Sequence, residues 1–209
     1  MECKSARENY QRKMEEILSR LPQGDEKPRL LLHSCCGPCS SYVLECLAAH
    51  FRITVDYYNP NIFPEAEFEK RLAEQRRLLS EMPLPSPVEL VADPYDEAEF
   101  LDAVQGYEAE PEGGKRCALC YRLRLKHTAE RAAAEGYDYF TTTLTVSPYK
   151  HADVLNEIGK ELAETVGVPY LFSDFKKKDG YKRSCALAAE YHLYRQEYCG
   201  CRFSMREDG

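Results

Sequence analysis

Apolar positions return at helical spacing from the start of the chain, where Tyr10, Met14, Ile17 and Leu18 mark one face of an opening helix over residues 6–21. The pattern then changes. "PRLLLHS" is an unbroken apolar run, the mark of a strand buried on both faces of a parallel sheet. After it, Pro38 suits the first turn of a helix carried by "SSYVLECLAAHF". The alternation repeats with strand "RITVDYYNP", amphipathic helix "PEAEFEKRLAEQRRLLSEM" and short strand "VELVAD". Two helices follow, "YDEAEFLDAVQGY" ended by Gly106 and the long "CALCYRLRLKHTAERAAAEG" with its glycine stop. A fourth strand in "YDYFTTTLT", a helix in "HADVLNEIGKELAETVG", a fifth strand in "VPYLFSDF" and a last helix over 182–195 complete the series.

Strands and helices that alternate five times, with no Pro/Gly/Ser-rich linker and no internal repeat, predict a single α/β domain over residues 1–209. The expected architecture is a three-layer sandwich on a mostly parallel, five-stranded sheet, with residues 1–25 as an N-terminal helical extension. In such sheets ligands bind beyond the carboxyl ends of the strands. "HSCCGPC", "YNPNIFP" and "TTTLTVSPYK" all follow strands, so they are expected to share one rim, with the cysteine-rich segment 182–204 completing the site.

Composition narrows the setting. Hydrophobic residues make up 44% and charged residues 30%, as in ordinary globular proteins. No apolar run nears the roughly 20 residues that span a bilayer, and "MECKSARENYQRK" has no signal-peptide core. A cytoplasmic protein without membrane contact is expected. The net charge of −7 argues against a surface coated for non-specific nucleic-acid binding, though not against a local basic site. "KRCALCYRLRLKH" and "KKKDGYKR" stand out as basic, which makes Arg122, Arg124, Lys176, Lys177 and Lys178 the expected RNA-facing patch.

The ten cysteines carry the chemistry. In a reducing compartment, clustered cysteines bind metal or do redox work more often than they staple a fold. Cys36/Cys39, Cys117/Cys120 and Cys199/Cys201 form tight groups, and Cys35 adjoins the first; Cys3, Cys46 and Cys185 stand apart and read as ordinary. Two C-x-x-C pairs at helix starts, where thiolate is favoured, supply four soft ligands for tetrahedral zinc or an iron–sulfur cluster. Cys36-Gly37-Pro38-Cys39 is also the tetrapeptide of thioredoxin-like dithiols, and Pro169 precedes a strand as their cis-proline does. The chain's length and lack of tryptophan point away from that fold. Structural zinc would leave Cys35 and Cys199-Gly200-Cys201 without a role. Two cysteines separated by one glycine can close a strained, easily reduced disulfide, so a redox site is favoured.

"HSCCGPCSS", "YNPNIFPEAEFEKR", "YEAEPEGGKRCALCYRLRLKHTA", "FTTTLTVSPYK" and "GYKRSCALAAEYHLYRQEYCGCRFS" resemble, in order, the epoxyqueuosine reductases of the QueH type, over residues 28 to 204. The resemblance implies a cobalamin-independent iron–sulfur oxidoreductase that reduces the epoxide of epoxyqueuosine in tRNA, giving queuosine. It implies a sheet similar to that of the nucleotide-binding ATP pyrophosphatases (HUP-like). It also implies a [4Fe–4S] cluster at Cys35, Cys36, Cys117 and Cys120, a further iron beside it, and a redox-active pair at Cys199 and Cys201. Cys39 is the sulfur left over and is expected to reach the second metal or the substrate. "HSCCGPCS" occupies the turn where the pyrophosphatases carry a phosphate loop, and no such loop occurs in the chain, so ATP is not expected. The implied partners are tRNA carrying epoxyqueuosine in the anticodon loop and an electron donor that the residues do not identify.

Removing an epoxide oxygen takes two electrons and two protons. Tyr149, Lys150, His33 and Asp174 are the candidate proton donors or oxygen positioners, and Tyr149 and Asp174 join Cys39, Cys199 and Cys201 in the expected catalytic set. Each has a plainer role: Tyr149 and Lys150 as surface structure, His33 as a hydrogen-bonded rim residue, Asp174 as a turn cap. Asn59 and Asn61 fix their loop or touch the base, and Arg195 and Gln196 orient the C-G-C or bind phosphate. Two rivals remain: an iron–sulfur tRNA sulfur-inserting enzyme, opposed by the missing nucleotide loop, and a zinc-stabilised RNA-binding protein, opposed by Cys35 and the C-G-C.

Overall fold

Leu30, Leu31 and Leu32 are completely buried because both faces of their strand are covered. Successive side chains on a strand point to opposite faces. Leu30 and Leu32 therefore join one core with Val43, Leu44, Leu47 and Leu78, while Leu31 joins another with Leu125, Phe140, Leu155 and Ile158. The chain is described by a computed structural model covering residues 8–22 and 26–205; Cys3 lies outside the described residues.

Four strands, β1 (Arg29–His33), β2 (Arg52–Tyr57), β3 (Glu89–Ala92) and β4 (Tyr139–Thr142), pair in parallel in the order β3-β2-β1-β4. His33 stands opposite Asp56 on one side and Thr142 on the other, so these three residues mark the carboxyl rim. The helices are α1 (Tyr10–Leu18), α2 (Gly37–Leu47), α3 (Glu65–Glu81), α4 (Glu97–Ala103), α5 (Lys115–Ala134), α6 (Ala152–Val166) and α7 (Gly180–Glu190). Helices α2, α3 and α7 supply the first core, and α5 and α6 the second. Local chemistry sets several ends. Asn9 accepts from Arg12 N at 3.0 Å to start α1, Pro38 lies in the first turn of α2, and Gly167, at φ +77°, stops α6.

Three expectations need correction. The sheet has four strands, not five. In the segment expected as the fifth, Tyr170 forms an isolated bridge with Phe140, through Phe140 N to Pro169 O (3.1 Å) and Leu171 N to Phe140 O (2.9 Å). Side chains then replace the ladder: Asn156 Nδ2 donates to Ser173 O, Ser173 N donates to Asn156 Oδ1, and Thr141 Oγ1 donates to Leu171 O. The opening helix is shorter than 6–21. The last helix ends at Glu190, and residues 191–200 cross α3 as an arm without regular structure. The cis peptide bond among the described residues is Phe63–Pro64, so Pro169 does not stand as a thioredoxin-type cis-proline, in line with the chain's length and lack of tryptophan. Among the described residues, no helix is long and apolar enough to cross a membrane.

Candidate metal and redox site

The turn from β1 into α2 builds the first part of the site. Cys36 is extended (φ −171°, ψ 154°) and caps α2, and Cys39 follows one helical turn later, so its sulfur swings back over the strand end. The sulfurs of Cys35, Cys36 and Cys39 all lie within 4.8 Å of one another, with Cys35 and Cys36 3.8 Å apart. Hydrogen bonds tie the scaffold beneath to its neighbours. Ser34 N donates to Asp56 O (3.0 Å), Asn59 Nδ2 donates to Ser34 O (2.8 Å), and the hydroxyls of Ser34 and Ser40 both reach Gln75 Oε1. Hydrogen bonds from Cys36 and Cys39 hold Cys35 well below the usual thiol range, and the bond to Cys35 pushes both partners up. Three sulfurs brought together on a rigid turn are a donor set that a soft metal centre completes.

The second C-x-x-C begins α5. Cys117 Sγ accepts from Gly113 N at 3.2 Å, and Cys117 packs in the same apolar core as Cys35 and Cys36. Cys120 packs with Phe100, Val104 and Cys201, and burial pushes its thiol up to about 11. Neither forms a close three-sulfur group with the first turn. Arg124, one turn beyond Cys120, is buried rather than facing solvent, so it leaves the expected RNA patch. Its Nε donates to Cys120 O at 3.3 Å, and its Nη2 has no partner. A buried cation left among cysteines complements an anionic occupant, so the residues present fit an iron–sulfur cluster.

The third part is the arm. Lys150 Nζ donates to Cys199 Sγ at 2.8 Å. Burial would lower the Lys150 ammonium's pKa, but Cys199 and Tyr121 outweigh it and raise it. Cys199, Lys150, Tyr149, Cys35, Cys39 and Pro38 line one cavity of about 300 Å³. Gln196 Nε2 reaches Cys36 Sγ at 3.3 Å, which ties the arm to the first turn. Arg71 is 1% exposed, pairs with Glu67 at 2.7 Å, and donates to Cys199 O at 3.2 Å. Gly200 has φ +128°, and a Cβ there would meet Arg71 Nη1 at 3.0 Å, so only glycine suits the position. Cys201 turns away from the cavity into the apolar group around Phe100. All nine described cysteines are free thiols.

The remaining candidates divide. Tyr149 is 74% exposed at the cavity mouth, and Arg195 also lines the cavity. Asp174 lies outside its lining; Lys176 Nζ sits 2.7 Å from its carboxylate, and its carbonyl accepts from Lys177 N. His33 is fully buried, with Nδ1 2.9 Å from Thr142 Oγ1; burial and then Arg124 lower its pKa to about 4, so the ring is neutral. Asn59 and Asn61 are buried and belong to their loop. Within the basic patch, Lys178 pairs with Glu15 and Arg122 with Glu161. Sequence reasoning passed over Arg71, Gln75 and the structural role of Arg124. The available signal was their position on the buried stripes of α3 and α5, beside Phe68, Leu72 and Leu78 and beside Cys120, Tyr121 and Leu125. A second cluster, Asp56, Asp93 and His127, is bridged by Arg131, which binds both carboxylates at 2.6 and 2.8 Å.

A sequence model of the family "Epoxyqueuosine reductase QueH" matches residues 30–207. Relatives bearing that name include one from Staphylococcus epidermidis, 38% identical over 99% of this chain and 88% of its own length. Another from Streptococcus pyogenes serotype M1 is 38% identical over 96% and 80%, and one from Thermotoga maritima is 34% identical over 85% and 91%. Among solved structures, the U34-tRNA thiolase NcsA from Methanococcus maripaludis, with its [4Fe–4S] cluster, matches with a TM-score of 0.53 and 12% identity over 94% of this chain and 67% of that one. At that identity the likeness is one of fold.

Proposed function

This chain belongs to the epoxyqueuosine reductase QueH family, and on that premise we propose that it is a cytoplasmic enzyme that reduces the epoxide of epoxyqueuosine in tRNA, without cobalamin or ATP. The observation that carries the proposal is that Cys35, Cys39 and Cys199, the last bonded to Lys150, line one and the same cavity. Chemistry on a base requires that the base leave the stack, and a cavity of about 300 Å³ open at Tyr149 admits one modified base, not a duplex.

The reaction breaks both C–O bonds of the epoxide and releases its oxygen as water, consuming two electrons and two protons. Oxidation of the Cys199 and Cys201 thiols to a disulfide yields that same number of each. A [4Fe–4S] cluster held by Cys35, Cys36, Cys117 and Cys120 supplies one-electron transfer at this site when bound, and Cys39 faces a further iron or the substrate. Lys150 holds a proton against Cys199 Sγ, at the cavity wall where the leaving oxygen needs one. Tyr149 closes the mouth over the base, while Asp174 orders the neighbouring turn through Lys176. Cys199 and Cys201 face different surroundings, so closing their disulfide needs rotation about Gly200. An external two-electron donor reopens it.

The test is anaerobic reconstitution with iron and sulfide, then assay on epoxyqueuosine-containing tRNA. Wild-type protein is expected to turn brown and form queuosine. The Cys199→Ala/Cys201→Ala variant should keep the colour and lose turnover, and Lys150→Met should alkylate Cys199 at least tenfold more slowly, as for loss of a charge-assisted bond of about 1.5 kcal/mol. Turnover by iron-free protein, or a colourless zinc protein that binds tRNA without converting it, overturns the proposal.

A further inference from the structure

The other deeply buried arginines each donate to at least two acceptors. Arg71 faces Glu67, and Arg116 donates to the carbonyls of Glu108 and Glu110. Arg124 is 2% exposed, yet among the described residues no carboxylate comes within ion-pair distance. Among the described residues it donates one hydrogen bond, to the Cys120 carbonyl, and Nη2 is buried without a partner. Cys117, Cys120 and Arg124 recur at spacings of three and four residues, so they share one stripe of α5. The sulfurs that would act on Arg124 most strongly as thiolates are those of Cys120, Cys35 and Cys199, drawn from all three parts of the site. An isolated buried cation is costly. Arg124 therefore makes physical sense when the cysteines around it carry an anion.

We propose that Arg124 is the fixed counter-charge of the iron–sulfur cluster at this site and sets its reduction potential. The proposal rests on reading the cysteine site as a [4Fe–4S] seat. With four thiolates, such a cluster carries a net charge of −2, and gaining one electron takes it to −3. A fixed cation in a low-dielectric site stabilises the second state more than the first, so it makes the electron easier to add. A guanidinium does not lose its proton in a protein, which makes Arg124 a constant bias. Its unpartnered Nη2 supplies a donor for a cluster or thiolate sulfur.

The experiment compares wild-type protein with Arg124→Met, Arg124→Lys and, as a control on the exposed face of α5, Arg122→Met. Each is reconstituted anaerobically, its iron and sulfide content is measured, and it is titrated with dithionite while electron paramagnetic resonance counts the reduced cluster. For Arg124→Met, the reduced-to-oxidised ratio at a given potential should fall at least tenfold, which is about 59 mV for a one-electron step. Arg124→Lys and Arg122→Met should stay within threefold of wild type. If Arg124→Met takes up no cluster while Arg124→Lys loads and titrates like wild type, the charge is again the requirement. Three outcomes overturn the proposal: Arg124→Met titrating within threefold of wild type, both Arg124 variants shifting alike, or both failing to load. Wild-type protein that shows no reduced-cluster signal instead sinks the cluster reading itself, before any variant is compared.

Discussion

The thiols of Cys35, Cys36 and Cys39 stand on a turn whose backbone is paired into the sheet, whereas Cys199 and Cys201 stand on an arm that α3 holds by its side chains. Beneath the turn, Ser34 bonds across to β2, and Gln75 gathers the Ser34 and Ser40 hydroxyls in a buried knot. Along the arm, Arg77 donates to the carbonyls of Tyr191 and His192, Glu74 accepts from Tyr194 N at 2.8 Å, Glu67 accepts from the Tyr194 hydroxyl, and Arg71 donates to Cys199 O. Glu67, Arg71, Glu74 and Arg77 recur three or four residues apart, so one face of one helix does this work. A seat whose backbone is paired into the sheet keeps its place when a thiol is removed and loses only the ligand. A clasp made of side chains can be loosened one residue at a time.

The largest expected effect tests the seat. Cys35→Ala should abolish the brown colour after reconstitution, as should Cys117→Ser, while Cys46→Ser should keep it; iron retained in full by Cys35→Ala would break the contrast between turn and arm. Next comes the clasp. Arg71→Ala removes the buried cation that pairs with Glu67 and the donor to the Cys199 carbonyl, and should cost about 3 kcal/mol in urea unfolding. Limited proteolysis should then cut residues 191–200 before the rest of the chain, and an arm as resistant as wild type would show that the clasp lies elsewhere.

Asp56, in the strand that supports the turn, should show a smaller effect, about 2 kcal/mol for Asp56→Asn. Burial would raise its pKa, but His127, Thr128 and Arg131 outweigh burial and hold it below the ordinary carboxylate value. A depressed folded pKa means that the stabilisation is complete above the unfolded value of about 3.9 and is lost as pH falls through the folded one. Urea midpoints should therefore drop on acidification past about pH 4 in wild type and less steeply in Asp56→Asn. Equal slopes would remove Asp56 from the account. The smallest effect sets the floor: Arg122→Ala, which breaks an exposed pair with Glu161, should change stability by no more than about 0.5 kcal/mol.

Much of this was legible in the chain because burial and spacing leave periodic traces. The unbroken Leu30–Leu32 run announced a doubly covered central strand, and Cys36-Gly37-Pro38-Cys39 announced a strand-to-helix turn. What stayed hidden depends on tertiary partners. "VPYLFSDF" has strand composition, but the Asn156 amide takes the backbone of Ser173 before a ladder can extend. The last helix carries no stop at Glu190; Arg77 captures the carbonyls just beyond it. Arg124 sits in a run of basic residues that reads as surface, and only the packing of α5 turns it inward.

The bridge at Tyr170 also bears on how copies of this protein meet. An unpaired strand edge is a template for association between chains. Here Phe140 has already spent its N–H and C=O on residues 169–171, and Ser173 has spent its own on a side-chain amide. The opposite edge, β3, is four residues long and lies between Pro87 and Pro94, which cannot donate to a ladder. Asn156 therefore does for one side of the sheet what prolines do for the other, and Asn156→Leu should expose an edge that recruits a second copy.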